Sequence, residues 1–171
     1  MACSYTLTGI PRDCEGAPGG LKRMLVIDHA QRGTYTQENG VISQITPNDS
    51  AKFAEVHFAM NTSALNPALA IGDADNRTFT NAISFNTGKL TASKLLQLQA
   101  LMLGEYAVIA EAYDGTFYAI GFDSVPLRAT EGAPTTGAAT TDSQSTPMTM
   151  SAVETHLPYT VDPSIIAALI K

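Results

Sequence analysis

EYAVIAEAYDGTFYAIGFDSV, residues 105–125, contains two apolar runs separated by the dipeptide Asp114-Gly115. An Asp-Gly pair between alternating hydrophobic residues is the strongest short-range signal for a β-hairpin. Each flanking run has the length and the apolar content of a well-buried strand. We therefore predict a hairpin at this point, in a chain built mainly from β-strands.

Further strand-like segments lie on both sides of this hairpin. Residues 21–28, LKRMLVID, contain a continuous apolar run, which is typical of a strand covered on both faces. The segment 41–46, VISQIT, alternates so that Ile42 and Ile45 are predicted to face opposite ways. Alternation also predicts strands in AKFAEVHFAM at 51–60, TFTNAISFN at 78–86 and MTMSAVETHL at 148–157. We expect six to eight strands in all.

A single helix is predicted over residues 91–103, TASKLLQLQALML, with Thr91 as its N-cap and Gly104 as its stop. The segment 33–40 reads as a connection that ends in an Asn39-Gly40 turn. Residues 61–77 read as a long loop or hairpin excursion, and residues 126–146 as a polar excursion of small residues. These patterns divide the chain into an N-terminal arm at 1–20, a domain at 21–160 and a C-terminal tail at 161–171.

The periodic segments also predict which side chains form the core. They share either a strand face or the apolar stripe of the helix. The predicted core is Met24, Val26, Val56, Phe58, Phe79, Ile83, Phe85, Leu95, Leu98, Met102, Val108 and Ile120.

Composition excludes several classes of protein. The chain has 171 residues, 10 Lys and Arg against 16 Asp and Glu, and a formal net charge of −6. An autonomous nucleic-acid binder needs a basic surface, and this chain has no basic cluster. No apolar run approaches the ~18 residues of a membrane span, and the start lacks the pattern of a secretory signal. Cys3 and Cys14 are too few for a disulfide framework. We expect them to be free thiols, with a disulfide between them as the alternative.

Motifs for catalysis and for ligand binding are incomplete. His29, His57 and His156 have no G-x-S-x-G nucleophile motif to accompany them, so we expect three ordinary histidines and no enzyme. The glycines before Leu21 lack the Lys-[Ser/Thr] of a phosphate-binding loop. Asp73-Ala74-Asp75-Asn76 resembles the start of a calcium loop, but Thr78 and Ser84 replace the required Gly and Glu. We predict no catalytic, cofactor-binding or metal-binding residues; a looser calcium site of carboxylates and carbonyls is the alternative.

Several soft motifs follow one another along the chain. The opening contains Cys3, Gly9-Ile10, Asp13-Cys14, Gly19-Gly20 and Lys22-Arg23. The segment from Ala107 to Gly121 reads A-V-I-x-E-x-x-D-G-x-F-Y-x-I-G, and T-T-G-A-A-x-x-D spans Thr135 to Asp142. In this order the motifs resemble virion structural proteins of tailed phages and prophages of Bacteroidetes, and the order of elements resembles tail-tube proteins in general.

This resemblance implies a mainly β fold with one flanking helix, namely a β-sandwich or barrel of tail-tube type with extended loops and terminal arms. It implies a subunit that forms hexameric rings, which stack into a hollow conduit for DNA. The implied partners are copies of the chain itself and other tail proteins, and the implied location is the virion tail, assembled in the host cytoplasm. An acidic lumen would repel phosphates, so genomic DNA would pass without specific binding.

Asp73 and Asp75 are the candidate functional residues, because they lie at the tip of a long excursion between alternating strands. We expect their loop to line the lumen or to contact the next ring. A capsid decoration, connector or baseplate protein is the structural alternative. A small β-barrel enzyme or ligand-binding module is the alternative from another class, and it requires a pocket with convergent polar groups.

Overall fold

The computed structural model describes residues 6–171, apart from the side chain of Asp75. The strands are β1 (Leu21–Asp28), β2 (Thr34–Glu38), β3 (Val41–Thr46), β4 (Ala54–His57), β5 (Ala64–Ile71), β6 (Arg77–Thr87), β7 (Tyr106–Ala112), β8 (Phe117–Ile120), β9 (Arg128–Gly132), β10 (Thr146–Glu154) and β11 (Tyr159–Val161). The helices are α1 (Ala92–Leu103) and α2 (Pro163–Leu169).

The strands of the described chain form two open sheets rather than one closed barrel. The first sheet has seven strands in the order β2-β3-β11-β8-β7-β1-β4, and the second has four in the order β5-β6-β10-β9. Neighbouring strands are antiparallel except β11 and β3, which are parallel. The prediction of a mainly β fold with a flanking helix is confirmed at this level.

The first sheet is covered on both faces. One face packs against the second sheet and α1, where Met24, Ile83 and Met150 are fully buried. The other face packs against α2 and its neighbours, where Leu25 and Ile109 are fully buried. The continuous apolar runs in β1 and β7 follow from this arrangement, because side chains on both faces of these strands are buried.

Most of the predicted core is confirmed. Met24, Val26, Ile83, Phe85, Leu98, Val108 and Ile120 are buried in the core between the sheets. Val56, Phe58 and Met102 are half-buried and pack against it. The expectation for Leu95 is wrong, because its side chain is 44% exposed. The helix buries Leu98 and Leu101, and Leu95 lies in a shallow surface depression beside Met102 and Pro134. Phe79 is only half-buried.

The predicted helix and turns agree with the structure. Thr91 accepts a hydrogen bond from the Lys94 backbone N–H, and α1 ends before Gly104 as expected. Asn39 and Gly40 both have positive φ, 52° and 82°, as the tightest hairpin turns require. At the other hairpin, Asp114 Oδ1 accepts from the Thr116 backbone N–H and Gly115 has a φ of 87°.

Three segments interpreted as connections or excursions contain strands. Residues 33–40 contain β2, residues 61–77 contain β5, and residues 126–146 contain β9. Because β5 pairs with β6, the excursion at 61–77 is a hairpin rather than a loop. All three strands lie at sheet edges. A mostly exposed edge strand is held chiefly by its backbone pairing, so its sequence carries little of the alternation on which the predictions relied.

Ile42 and Ile45 are both buried in the second core, contrary to the predicted alternation. The cause is a bulge. Gln37 pairs with Ile42 and Thr36 with Gln44, so Ser43 has no partner of its own in β2. One extra residue shifts the alternation by one position, which brings two isoleucines three residues apart onto the same face.

Residues 161–171, assigned from the sequence to a tail, pack into the second core. Asp162 caps α2 by accepting from the Ser164 backbone N–H, and Pro163 occupies the first turn of the helix. Ile166 and Leu169 are 4% and 5% exposed. The helix therefore covers a face of the first sheet that would otherwise meet water.

Candidate functional site

Asp73 and Asp75 lie at the tip of the hairpin formed by β5 and β6. A short 3-10 turn, Asp73–Asp75, joins the strands, and Ala74 in it has a φ of 56°. Asp73 is exposed. The structure therefore places the predicted acidic residues at the end of an excursion flanked by strands, whereas their role in a lumen or a ring contact remains a prediction.

The β5–β6 hairpin extends beyond the core, together with the side chains on its core-facing side. Leu65 pairs with Ile83, and Leu69 pairs with Phe79, so these side chains share the face that packs on the first sheet. β10 pairs with β6 only from Phe79 to Thr87, and the hairpin extends past that point. Leu69 and Ile71 are 56% and 66% exposed as a result. We name Leu69, Ile71 and Phe79 the hairpin face.

A groove of about 920 Å³ lies at the opposite end of β6. It runs between α1 and β4, which is an edge strand of the first sheet. Val56, Phe58 and Leu101 contribute apolar surface, and lysine, aspartate and glutamate side chains contribute charges of both signs. We name this feature the α1–β4 groove. It combines an apolar floor with a strand edge that is open at Ala54–His57.

Residues 6–19, the described part of the N-terminal arm, are exposed along their whole length. Residues 6–19 contain no strand or helix, and Leu7 and Ile10 are 81% and 87% exposed. Cys14 is an exposed free thiol, and Cys3 lies outside the described residues. Fully extended, fourteen residues would reach about 45–50 Å, which is long enough to contact a neighbouring subunit.

A polar cluster of Asp123, Glu154 and His156 lies where β8 and β10 end. One ligand atom from each side chain is within 4.8 Å of the others. His156 Nε2 is 2.8 Å from Asp123 Oδ2, and His156 Nδ1 is 2.7 Å from the Leu157 carbonyl oxygen. Glu154 is 4% exposed, and its carboxylate accepts from the Gly121 backbone N–H at 2.8 Å.

Further groups hold the cluster from outside. Asn81, which is fully buried, donates from Nδ2 to Glu154 Oε2 at 2.5 Å and to the His156 carbonyl oxygen at 3.2 Å. Tyr35 donates its hydroxyl to Asp123 Oδ1 at 2.7 Å. The Tyr159 ring stacks on the imidazole of His156, with ring centroids 3.9 Å apart.

Burial governs the electrostatics of the cluster. It raises the pKa of Glu154, whereas hydrogen bonds from Asn81 and Gly121 and the charge of His156 oppose that rise. Burial, followed by the hydrogen bond to Asp123, raises the pKa of Tyr35 above its usual range. Burial also raises the pKa of Tyr159. The cluster therefore contains two carboxyl groups of different character, one desolvated and one partly open to water.

The three histidines differ in their surroundings. His29 is buried, and burial lowers its pKa. His57 is exposed, with Nε2 3.1 Å from Glu55 Oε2. The sequence did not single out the Asp123–Glu154–His156 cluster. Its only local signal is the spacing of Glu154 and His156, which puts two polar side chains on one side of an extended segment.

No protein family, curated protein or solved structure matches this chain. Among residues 6–171, no helix is both long and apolar enough to cross a bilayer.

Proposed function

We propose that this chain is a virion structural protein, namely a tail-tube subunit that stacks as rings into a hollow DNA conduit. The observation that carries the proposal is the hairpin face, where Leu69 and Ile71 are exposed on the side of the hairpin that forms core elsewhere. Its role would be structural rather than catalytic, within the tail of a virion assembled in the host cytoplasm.

A second copy of the chain is the proposed cover for the hairpin face. β5 has no charged residue, and it is an edge strand of the second sheet. Soluble proteins normally protect such edges with charges or with a covering element. The centre of a protein interface is depleted in charged residues, as β5 is. An uncharged, apolar edge therefore suits a permanent contact better than it suits water.

The hairpin face and the α1–β4 groove lie at opposite ends of β6. The groove is lined by Thr87, and the tip begins before Arg77, so the eleven residues of β6 separate them by about 33 Å. A contact between two different surfaces is heterologous, and such contacts repeat from subunit to subunit until they close a ring or extend a filament. Seating each hairpin in a neighbour's groove would produce such a repeat.

Two other features support a conduit assembled from many copies. The exposed N-terminal arm offers Leu7 and Ile10 for a contact with a neighbouring subunit. The formal charge of −6 per subunit, with Asp73 at the hairpin tip, gives an assembled ring a strongly negative potential. DNA phosphates would be repelled from such a lumen over about a Debye length.

Assembly of purified protein tests the proposal. The wild type should form rings and tubes in negative-stain images, and its mass by light scattering should rise with concentration. Leu69→Glu with Ile71→Glu puts two charges on the hairpin face without touching the buried core, so this variant should remain monomeric and folded. Leu96→Glu is the matched control, because Leu96 is 67% exposed on α1 and lines neither proposed surface.

The forms observed discriminate between the structural roles. Tubes that are lost in the hairpin variant and retained in the control support the tail-tube proposal. Single rings that never stack favour a connector or baseplate protein, and small closed oligomers favour a capsid decoration. A wild type that is monomeric at millimolar concentration, or a hairpin variant that assembles normally, contradicts self-assembly through the hairpin face.

Reversing the charge of the tip tests where the tip lies. Asp73→Lys with Asp75→Lys raises the formal charge by +4, from −6 to −2 per subunit. If the loop lines the lumen, tubes should still form but should retain DNA at low salt. That retention should fall steeply between about 50 and 200 mM salt. DNA co-sedimentation at several salt concentrations measures it.

If the loop forms a contact between rings, the charge-reversed variant should instead stay folded without polymerising. Asp114→Lys is the control, since Asp114 lies in another exposed turn of the same molecule. Normal tubes that ignore DNA at low salt would contradict both roles for the Asp73–Asp75 turn.

A further inference from the structure

We propose that Asp123, Glu154 and His156 form a binding site for a divalent transition-metal ion, with Zn²⁺ as the ion that fits best. The site is independent of the assembly proposed above. Its three ligand atoms, all within 4.8 Å of one another, come from side chains that follow β8 and end β10. The ion would therefore join the first sheet to the second.

The hydrogen bonds of His156 leave its Nε2 facing the carboxylate of Asp123, where a proton or a metal ion can supply positive charge. A carbonyl oxygen can only accept, so Nδ1 must carry a proton to bond the Leu157 carbonyl. In the neutral imidazole, Nε2 then presents a lone pair to the carboxylate of Asp123, 2.8 Å away. A second proton on the imidazole, or a metal ion shared by Nε2 and the carboxylate oxygens, makes that approach favourable, and Glu154 brings a further carboxyl oxygen within 4.8 Å.

Each ligand side chain has the outer support that metal sites require. A ligating histidine usually donates its other N–H to a carbonyl or carboxylate, as His156 does to Leu157. Tyr35 orients Asp123, and Asn81 orients Glu154. Asn81 is fully buried against the cluster, and its Oδ1 has no hydrogen-bond partner among the described residues. A buried amide oxygen without a hydrogen-bond partner is unusual in a folded protein.

The donor set selects the class of ion. One imidazole nitrogen and two carboxylate oxygens suit Zn²⁺ and its neighbours in the first transition row, whereas Mg²⁺ and Ca²⁺ prefer oxygen alone. The side chains of Asp123 and His156 are 32% and 21% exposed, so water can reach the fourth position of a tetrahedral ion. Glu154 pairs with Phe79 in the sheet, so the ion would also fix the base of the projecting hairpin.

Metal titration of the full chain tests this inference. After chelation and buffer exchange, ZnCl₂ should bind with one-to-one stoichiometry in calorimetry. At a hundredfold excess over its Kd, it should raise the melting temperature by roughly 5–10 °C. Co²⁺ should give the visible absorption of a tetrahedral site and should be displaced by Zn²⁺. His156→Ala should weaken binding more than a hundredfold.

His57→Ala is the matched control, because His57 also lies beside a carboxylate but on the open surface. It should bind Zn²⁺ like the wild type. Tyr35→Phe removes only the hydroxyl that orients Asp123, and it should weaken binding by about 10–100-fold even if His156→Ala fails to fold. A wild type that does not bind Zn²⁺ at a concentration of about 100 μM would overturn the inference. Equal affinities for the wild type and Tyr35→Phe would do the same, and a proton would then be the only cation that the cluster holds.

Discussion

Phe85→Ala should lower the free energy of unfolding by about 3–5 kcal/mol, the usual cost of removing a buried phenylalanine side chain. Phe85 is 2% exposed in the core between the two sheets. Its ring stacks on Phe58, with centroids 4.8 Å apart. The truncation leaves a cavity that neither sheet can close without moving the other. Urea denaturation followed by circular dichroism measures the loss.

Two further substitutions make the Phe85 result specific. Phe58→Ala should cost less than Phe85→Ala, because Phe58 is only half-buried at the margin of the same core. Leu96→Ala, on the exposed side of α1, should change stability by less than about 0.5 kcal/mol. If Phe85→Ala unfolded at the same urea concentration as the wild type, the Phe85 side of β6 would have to face solvent rather than the core.

Removal of residues 163–171 should destabilise the domain by roughly 3–6 kcal/mol, since it exposes the area buried by two large aliphatic side chains. Ile166 and Leu169 are almost fully buried against the first sheet. The segment also supplies the Leu169 carbonyl that accepts from the Phe53 backbone N–H. Such a loss is a large part of the stability of an ordinary domain, so we expect a partly unfolded protein.

The double variant Ile166→Ala with Leu169→Ala should reproduce most of the effect of the truncation, because it removes the same apolar contacts and keeps the chain length. Ala167→Ser, on the exposed side of α2, should melt like the wild type. Differential scanning calorimetry compares the melting temperatures of the truncated chain, the double variant and Ala167→Ser with that of the wild type. If the truncated chain kept the wild-type melting temperature, α2 would contribute nothing to the second core.

The elements predicted well are those whose local sequence and tertiary burial agree. β1 and β3 have the predicted bounds, and α1 begins directly after its predicted cap at Thr91. In β1 the apolar residues that define the pattern are also the residues that become buried, and at the start of α1 Thr91 accepts the capping hydrogen bond that its residue type predicts. The Asp114-Gly115 hairpin was predictable for a related reason, because turn chemistry is a local property of the backbone.

The elements predicted poorly depend on partners that are distant in the sequence. Edge strands such as β2 and β5 exist because a neighbouring strand pairs with them. The Ser43 bulge is a property of the β2–β3 pair and not of either strand alone. The polar cluster was missed because Asp123 and His156 meet only when two sheets pack together. No local pattern encodes that meeting.

The position of β11 also has a consequence for the order in which the chain folds. β11 lies between β8 and β3, and Thr160 pairs with Val41. Within the described chain, the β2–β3 hairpin joins the rest of its sheet only through β11. On a ribosome, the hairpin emerges early but cannot be incorporated until Tyr159–Val161 has been made. Contacts between residues so far apart slow folding, and this sheet is completed only after residue 161 has been synthesised.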